Sequence, residues 1–271
     1  MSLQSDLPIG VFDSGLGGLT VVQAIRRELP DERIVYLGDS ARVPYGTRSE
    51  STVVLYARKC SRFLTEQGLK MLVVACNTAS SVALPSLREE TAMPVLGVIT
   101  AGARAVAATG ARRVGVIGTV GTVLSKAYIR EIAALSPACE VFQQPAPLFV
   151  PLAEEGWIDG ELPLLAAKRY LKPLADAQIE VLMLGCTHYP LLKGVIVQAL
   201  AELGSRAEIV DSAFAMAREV KRTLEERRIL RQTVDGGSLG CYVTDLPASF
   251  GEVATRFLGG ALGRVEKVDI T

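Results

Sequence analysis

The chain has 271 residues, with 29 basic side chains balanced by 29 acidic ones and no long run of either sign. That length suits one large domain or two ordinary ones, and the balanced charge argues against a nucleic-acid binder, which carries a basic stripe or excess. Apolar residues make up 49% and aromatics only 6%, which favours helices packed on buried parallel strands over a β-sandwich. The first residues are polar, and no run reaches the roughly 18 apolar residues that span a bilayer, so a cytoplasmic protein with no leader and no membrane contact is expected. Five cysteines without a CxxC pair argue against a disulfide framework or a zinc knuckle. The only histidine is His188, so no metal centre is expected.

In chain order, residues 9–12 read as a strand, and the Gly-rich turn Asp13-Ser14-Gly15-Leu16-Gly17-Gly18 opens a helical pattern over 20–27. A strand at 34–37 leads into Gly38-Asp39-Ser40 and Pro44-Tyr45-Gly46, followed by a helix at 49–67. The strand at 71–75 runs straight into Cys76-Asn77-Thr78. Strands at 95–98 and 114–117 come next, the second ending in Gly118-Thr119-Val120-Gly121-Thr122. The stretch 145–151 is turn-rich but too apolar for a free linker. A helix at 162–175 precedes the strand at 181–184, which ends in Gly185-Cys186-Thr187-His188. A short strand at 209–210 and a helix at 213–228 follow, and the stretch from Arg218 to Arg231 reads as a solvated helix face. This alternation predicts an α/β protein with mainly parallel sheets flanked by helices, and such sheets bind ligands at the carboxyl ends of their strands.

The chain repeats itself at those strand ends. The segment from Gly10 to Gly18 resembles that from Gly115 to Thr122, and the segment from Leu72 to Thr78 resembles that from Leu182 to His188. The two pairs are similarly spaced, which suggests duplication into two related halves, each offering a cysteine from the same position. A lone cysteine ending a buried strand is most often a small core residue. Two in matched settings, with hydrogen-bonding neighbours that can tune a thiol, suit proton transfer. Cys60 lies inside a helical pattern, and Cys139 and Cys241 lack such neighbours, so these three read as structural. The turn after Asp13 is neither GxGxxG nor a Walker loop, and serves equally as a tight strand-to-helix turn or an anion nest. His188, two residues after Cys186, can approach the thiol as a general-base partner or be a hydrogen-bonded structural residue.

Four motifs now stand in order over nearly the whole chain: Asp13-Ser14-Gly15-Leu16-Gly17-Gly18-Leu19-Thr20, Pro44-Tyr45-Gly46, Ala75-Cys76-Asn77-Thr78-Ala79 and Gly185-Cys186-Thr187-His188-Tyr189-Pro190. Together they resemble the aspartate/glutamate racemase family, in the form of its glutamate branch. The resemblance implies two related α/β lobes with pseudo-twofold symmetry and an active site in the cleft between them. Residues 1–98 with 211–271 would form one lobe and 99–210 the other. Cys76 and Cys186 would be the two proton-transfer bases on opposite faces of Cα, assisted by Asp13 and His188 respectively. Glu154 matches an acidic position near the second cysteine, although Glu155 competes for that placement. Asp13, Ser14, Pro44, Tyr45, Gly46, Asn77, Thr78 and Thr187 would hold the substrate, joined by Thr119 or Thr122. The implied activity is cofactor-independent interconversion of L- and D-glutamate, supplying D-glutamate for peptidoglycan in a bacterial cytoplasm. A homodimer is expected, and the sequence offers nothing for or against the contact with DNA gyrase that some family members make. Two rivals stay open: an aspartate racemase on the same plan, and a non-catalytic module whose lobes close on an amino acid.

Overall fold

The computed structural model describes residues 4–248 and 250–270. The chain begins β1 (Ile9–Asp13), α1 (Leu19–Glu28), β2 (Arg33–Gly38), α2 (Glu50–Glu66), β3 (Met71–Val74), α3 (Asn77–Val82), α4 (Leu84–Glu89) and β4 (Val95–Gly97). It continues through α5 (Val98–Ala108), β5 (Arg113–Gly118), α6 (Val120–Leu124), α7 (Ala127–Leu135), β6 (Glu140–Pro145), α8 (Phe149–Glu155) and α9 (Glu161–Asp176). Then come β7 (Val181–Gly185), α10 (Lys193–Glu202), β8 (Glu208–Asp211), α11 (Ser212–Glu226), β9 (Ser238–Val243), α12 (Phe250–Leu258) and β10 (Val265–Lys267).

The strands form two all-parallel sheets, ordered β10-β9-β2-β1-β3-β4 and β6-β5-β7-β8. Each sheet contains the same four-strand pattern, with its first strand between its second and third. That shared order is what duplication of one α/β half would produce. Every residue of β1, β3 and β7 is buried, which is why these strands read as unbroken apolar runs. The sequence reading lacked β6, β9 and β10, and the reason is visible in their burial. β6 is an edge strand with no fully buried residue, β9 carries a glycine and only two buried side chains, and β10 has none.

In each sheet the order reverses beside the first strand, between β1 and β3 and between β5 and β7. Crevices at such switch points are where parallel α/β sheets bind ligands. Cys76 follows β3 and Cys186 follows β7, so the two halves present their cysteines from equivalent crevices. α11 packs on both α1 and α5, joining the layers around the two sheets. Among the described residues, no helix is long and apolar enough to cross a membrane.

At the far end of the first sheet a polar knot corrects one reading. The stretch from Arg218 to Arg231 is not one solvated helix face, because α11 ends at Glu226 and Arg231 is buried. The Arg231 amide donates to Glu32 Oε1 at 2.9 Å, and the wholly buried Lys70 Nζ lies 2.5 Å from Glu32 Oε2. Lys70 also donates to the carbonyls of Ser5 and Ile229. Removing one partner of a buried pair strands the other charge, so Lys70→Ala should lower unfolding free energy by about 3–5 kcal/mol. Urea unfolding checks this, and a loss below about 1 kcal/mol would place Glu32 in a far wetter setting.

Candidate active site

Between the two switch points lies a cavity of about 190 Å³ lined from both halves of the chain. The loop after β1 contributes Ser14 and Gly15, and the segment after β2 contributes Val43 to Thr47, with a cis Val43–Pro44 bond. Cys76, Asn77 and Thr78 enter after β3, Thr119 and Val120 after β5, and Cys186, Thr187 and His188 after β7. Pro147, Val150, Pro151 and Glu154 complete the wall. Both thiols are buried to 5% exposure, and a negative charge on Cys186 would raise the Cys76 thiol.

The two cysteines sit in different electrostatic settings. Cys76 caps α3: its sulfur accepts from the Ala79 amide at 3.5 Å and donates to Ser14 Oγ at 3.4 Å. Burial, and then the neighbouring Asp13 charge, push the Cys76 thiol up to about 12. Asp13 is itself fully buried, and that burial raises its carboxyl above the ordinary value against the pull of His188 and three backbone amides. It lies behind the cavity wall, bonded through Oδ2 to the Gly15 amide, while Oδ1 finds no hydrogen-bond partner among the described residues.

The second arm is a relay. Cys186 Sγ lies 3.9 Å from His188 Nδ1, and His188 Nε2 lies 3.0 Å from Glu154 Oε1. Burial opposes charge on the ring, yet the contacts with Cys186 and Glu154 outweigh it and push His188 up to about 10. The contacts with Cys186 and Glu154 thus favour the protonated ring beside Cys186. Because its folded value lies above the ordinary 6.5, protonation stabilises the fold. That contribution is whole below about pH 6.5 and disappears as pH rises through about 10. Urea unfolding across this range should show stability falling with pH in the native protein and a flatter curve for His188→Asn; identical slopes would contradict the relay.

The other expected residues separate into wall and support. Thr78 Oγ1 lies 2.9 Å from Thr119 Oγ1, a hydroxyl contact spanning the two halves. Thr122 is fully buried behind that wall rather than in it, donating its amide to Thr119 Oγ1 at 3.2 Å. Tyr45 lines the cavity, but its hydroxyl is taken by Asp39 Oδ2 at 2.5 Å, so it can offer a ligand only its ring and backbone. Glu154, not Glu155, faces His188, since Glu155 lines an apolar groove on the other side of α8. Residues the sequence reading missed include Tyr128, whose hydroxyl reaches across from α7 to donate to Asn77 Oδ1 at 2.8 Å. This fixes the Asn77 amide and leaves its buried Nδ2 without a hydrogen-bond partner among the described residues, in a cavity-lining side chain. No local motif marked Tyr128, because its partner lies 51 positions away in the chain.

Comparison with known proteins meets this geometry. The profile of the family described as Asp/Glu/Hydantoin racemase matches residues 9–220. The chain belongs to that family. A glutamate racemase from Geobacter metallireducens is 50% identical over 263 residues, covering 97% of this chain and 96% of that relative. The crystal structure of glutamate racemase from Francisella tularensis in complex with D-glutamate superposes with a TM-score of 0.91 at 39% identity, covering 98% of each chain. A glutamate racemase isoform from Bacillus anthracis gives 0.92, again at 39% identity and 98% coverage of both chains. The two-lobed parallel α/β plan expected from the racemase resemblance is thus the plan of solved family members.

Proposed function

We propose that this enzyme interconverts L- and D-glutamate by moving the α-proton between Cys76 and Cys186, without a cofactor. The observation that carries the reading is the pair of buried thiols reaching one small cavity from equivalent positions of two like sheets. Racemisation must remove a proton from one face of Cα and return one to the other. Two bases of the same chemical type, one from each lobe, perform this in either direction. Cys76, held near 12, rests as the thiol that delivers a proton. The His188 imidazolium beside Cys186 offsets negative charge on that sulfur before it takes the opposite proton, and the charge then passes to Cα until Cys76 delivers its proton there; in the reverse direction the two thiols exchange roles.

The carbanion-like transition state needs donors at the α-carboxylate and exclusion of water. Ser14 Oγ, the free Asn77 Nδ2, Thr78, Thr119, Thr187 and the backbone at Pro44, Tyr45 and Gly46 surround the space where both carboxylates would sit. The hydroxyls, the Asn77 amide and the backbone amides of Tyr45 and Gly46 are neutral donors, whereas Pro44, which has no N–H, shapes the wall. Asp13 acts from behind on Cys76, and Glu154 acts through His188 on Cys186. We assign residues 1–98 with 211–271 to one lobe and 99–210 to the other. Sheet membership supports this to within one residue, since β8 of the second sheet ends at Asp211, whose Oδ1 accepts from the Ala213 amide to cap α11. D-Glutamate for peptidoglycan, a cytoplasmic location and a homodimer complete the reading, as the family resemblance implies.

Circular dichroism of L-glutamate, D-glutamate and L-aspartate solutions, each incubated with purified enzyme and no additive, tests this. Loss of optical activity with both glutamate enantiomers and not with aspartate is expected. Turnover of aspartate alone would move the enzyme to the other branch, and turnover of neither would favour an amino-acid binding module.

A further inference from the structure

We propose that α12 is the positioning element of the second proton-transfer arm, with Arg256 and Phe257 holding Glu154 and His188 in register with Cys186 although neither reaches the cavity. This rests on the racemase reading above. α12 lies between β9 and β10 of the first sheet and packs on α1, whereas Glu154 and His188 belong to segments flanking the second sheet. Its contacts therefore span the two lobes.

Two adjacent residues make them. Arg256 Nη1 donates to the Glu154 carbonyl at 2.6 Å and more weakly to that of Ala153 at 3.4 Å. These are carbonyls of the last turn of α8, where a helix has unpaired acceptors and a partial negative charge that a guanidinium complements. Gly156 ends α8 at φ 78, and the guanidinium lies so close that a Cβ there would come within 2.7 Å of Arg256 Cζ. The turn is thus shaped around the arginine. Phe257, 1% exposed, meets the His188 ring edge-to-face at 4.9 Å between centroids and 75° between planes. Arg256 thereby fixes the backbone that carries Glu154, and Phe257 fixes the ring that Glu154 grips.

The consequence follows from exposure. The Glu154 side chain is 45% exposed, so only its placement keeps the carboxylate on His188 Nε2 rather than in water. If the lobes part, Arg256 leaves the end of α8, Glu154 is released, and His188 loses the partner that helps keep it charged. Readiness of Cys186 is in this way tied to closure of the cleft.

His188 is the only histidine in the chain, so nitrogen-15 NMR of the untagged protein reads one imidazole directly, whatever the substrate. In the native protein its titration midpoint should lie near 10. Arg256→Ala should lower that midpoint by at least about one pH unit, which corresponds to losing about 1.4 kcal/mol of preference for the charged ring. Arg256→Lys, which keeps a cationic donor, should restore most of it, and Phe257→Leu should broaden or shift the resonance with the fold retained. In glutamate turnover, Arg256→Ala should lower kcat on the order of tenfold with little change in KM, a misplacement effect rather than a binding one. An unchanged midpoint in folded Arg256→Ala, or a rise in KM alone, would overturn the proposal. So would a loss that Arg256→Lys fails to restore. If the native enzyme did not turn over glutamate, the functional reading would fail while the titration still judged the clamp.

Discussion

Cys76→Ala should lower glutamate racemisation by about 10³-fold or more, in line with the 10²–10⁴-fold contribution of a positioned acid or base and the absence of any substitute thiol on that face. Three features make the loss chemical rather than structural. Cys76 follows a strand whose four residues are all buried and held between β1 and β4, so the backbone that presents it does not depend on the side chain. The change forfeits the cap on the Ala79 amide, a contribution of about 1 kcal/mol. Cys76→Ser keeps a capping oxygen and nearly the same volume, yet its hydroxyl is a far poorer acid than a thiol. Both variants should unfold near the native midpoint, and both should be inactive. Cys60→Ala, by contrast, removes a buried thiol that touches the Tyr45 hydroxyl and lines no part of the cavity. It should retain most turnover. Activity above about one tenth of native in Cys76→Ser would exclude a thiol at that position as the proton donor.

Gly17→Ala should lower kcat/KM by about 10²-fold, the scale of misplacing a reacting group by an ångström. Gly17 stands in the turn between β1 and α1, directly against the second arm. A Cβ there would overlap Thr187 Oγ1 and lie 2.5 Å from His188 Nδ1 and 2.6 Å from Cε1. Neither neighbour can move freely. Thr20 Oγ1 donates to both the Gly17 and Thr187 carbonyls, at 2.9 and 3.0 Å, and His188 is held from its other side by Glu154. The added methyl must therefore displace the ring from Cys186. Gly194→Ala, in α10, meets nothing within 4 Å and provides the control. Equal activities of the two variants would mean that the turn yields and the relay is not held in place by it.

The turn illustrates how much of this site was legible before the structure. The glycines of Asp13-Ser14-Gly15-Leu16-Gly17-Gly18 suggested an anion nest or a tight turn, but one of them serves instead to admit a side chain from the other half of the molecule. Wholly buried strands announced themselves as apolar runs, and the loops after them held the thiols and their polar neighbours. What stayed hidden depended on contacts distant in sequence. The grip of Tyr128 on Asn77, the cavity wall made by Pro147, Val150 and Pro151, and the reach of Arg256 and Phe257 to the relay have no local signature. Edge strands such as β6 were missed because half-buried positions need no unbroken apolar run.

The central claim is that two thiols act on opposite faces of one carbon, and solvent-deuterium incorporation during the first turnovers tests it most directly. Each glutamate enantiomer is incubated with enzyme in heavy water, and deuterium at Cα is measured separately in the remaining substrate and in the inverted product. A thiol that donates to the far face carries a solvent-derived deuteron, so the product should be deuterated from the outset while the remaining substrate stays protiated, whichever enantiomer is supplied. Deuterium entering substrate and product at equal early rates would point to a single base serving both faces and would contradict the account.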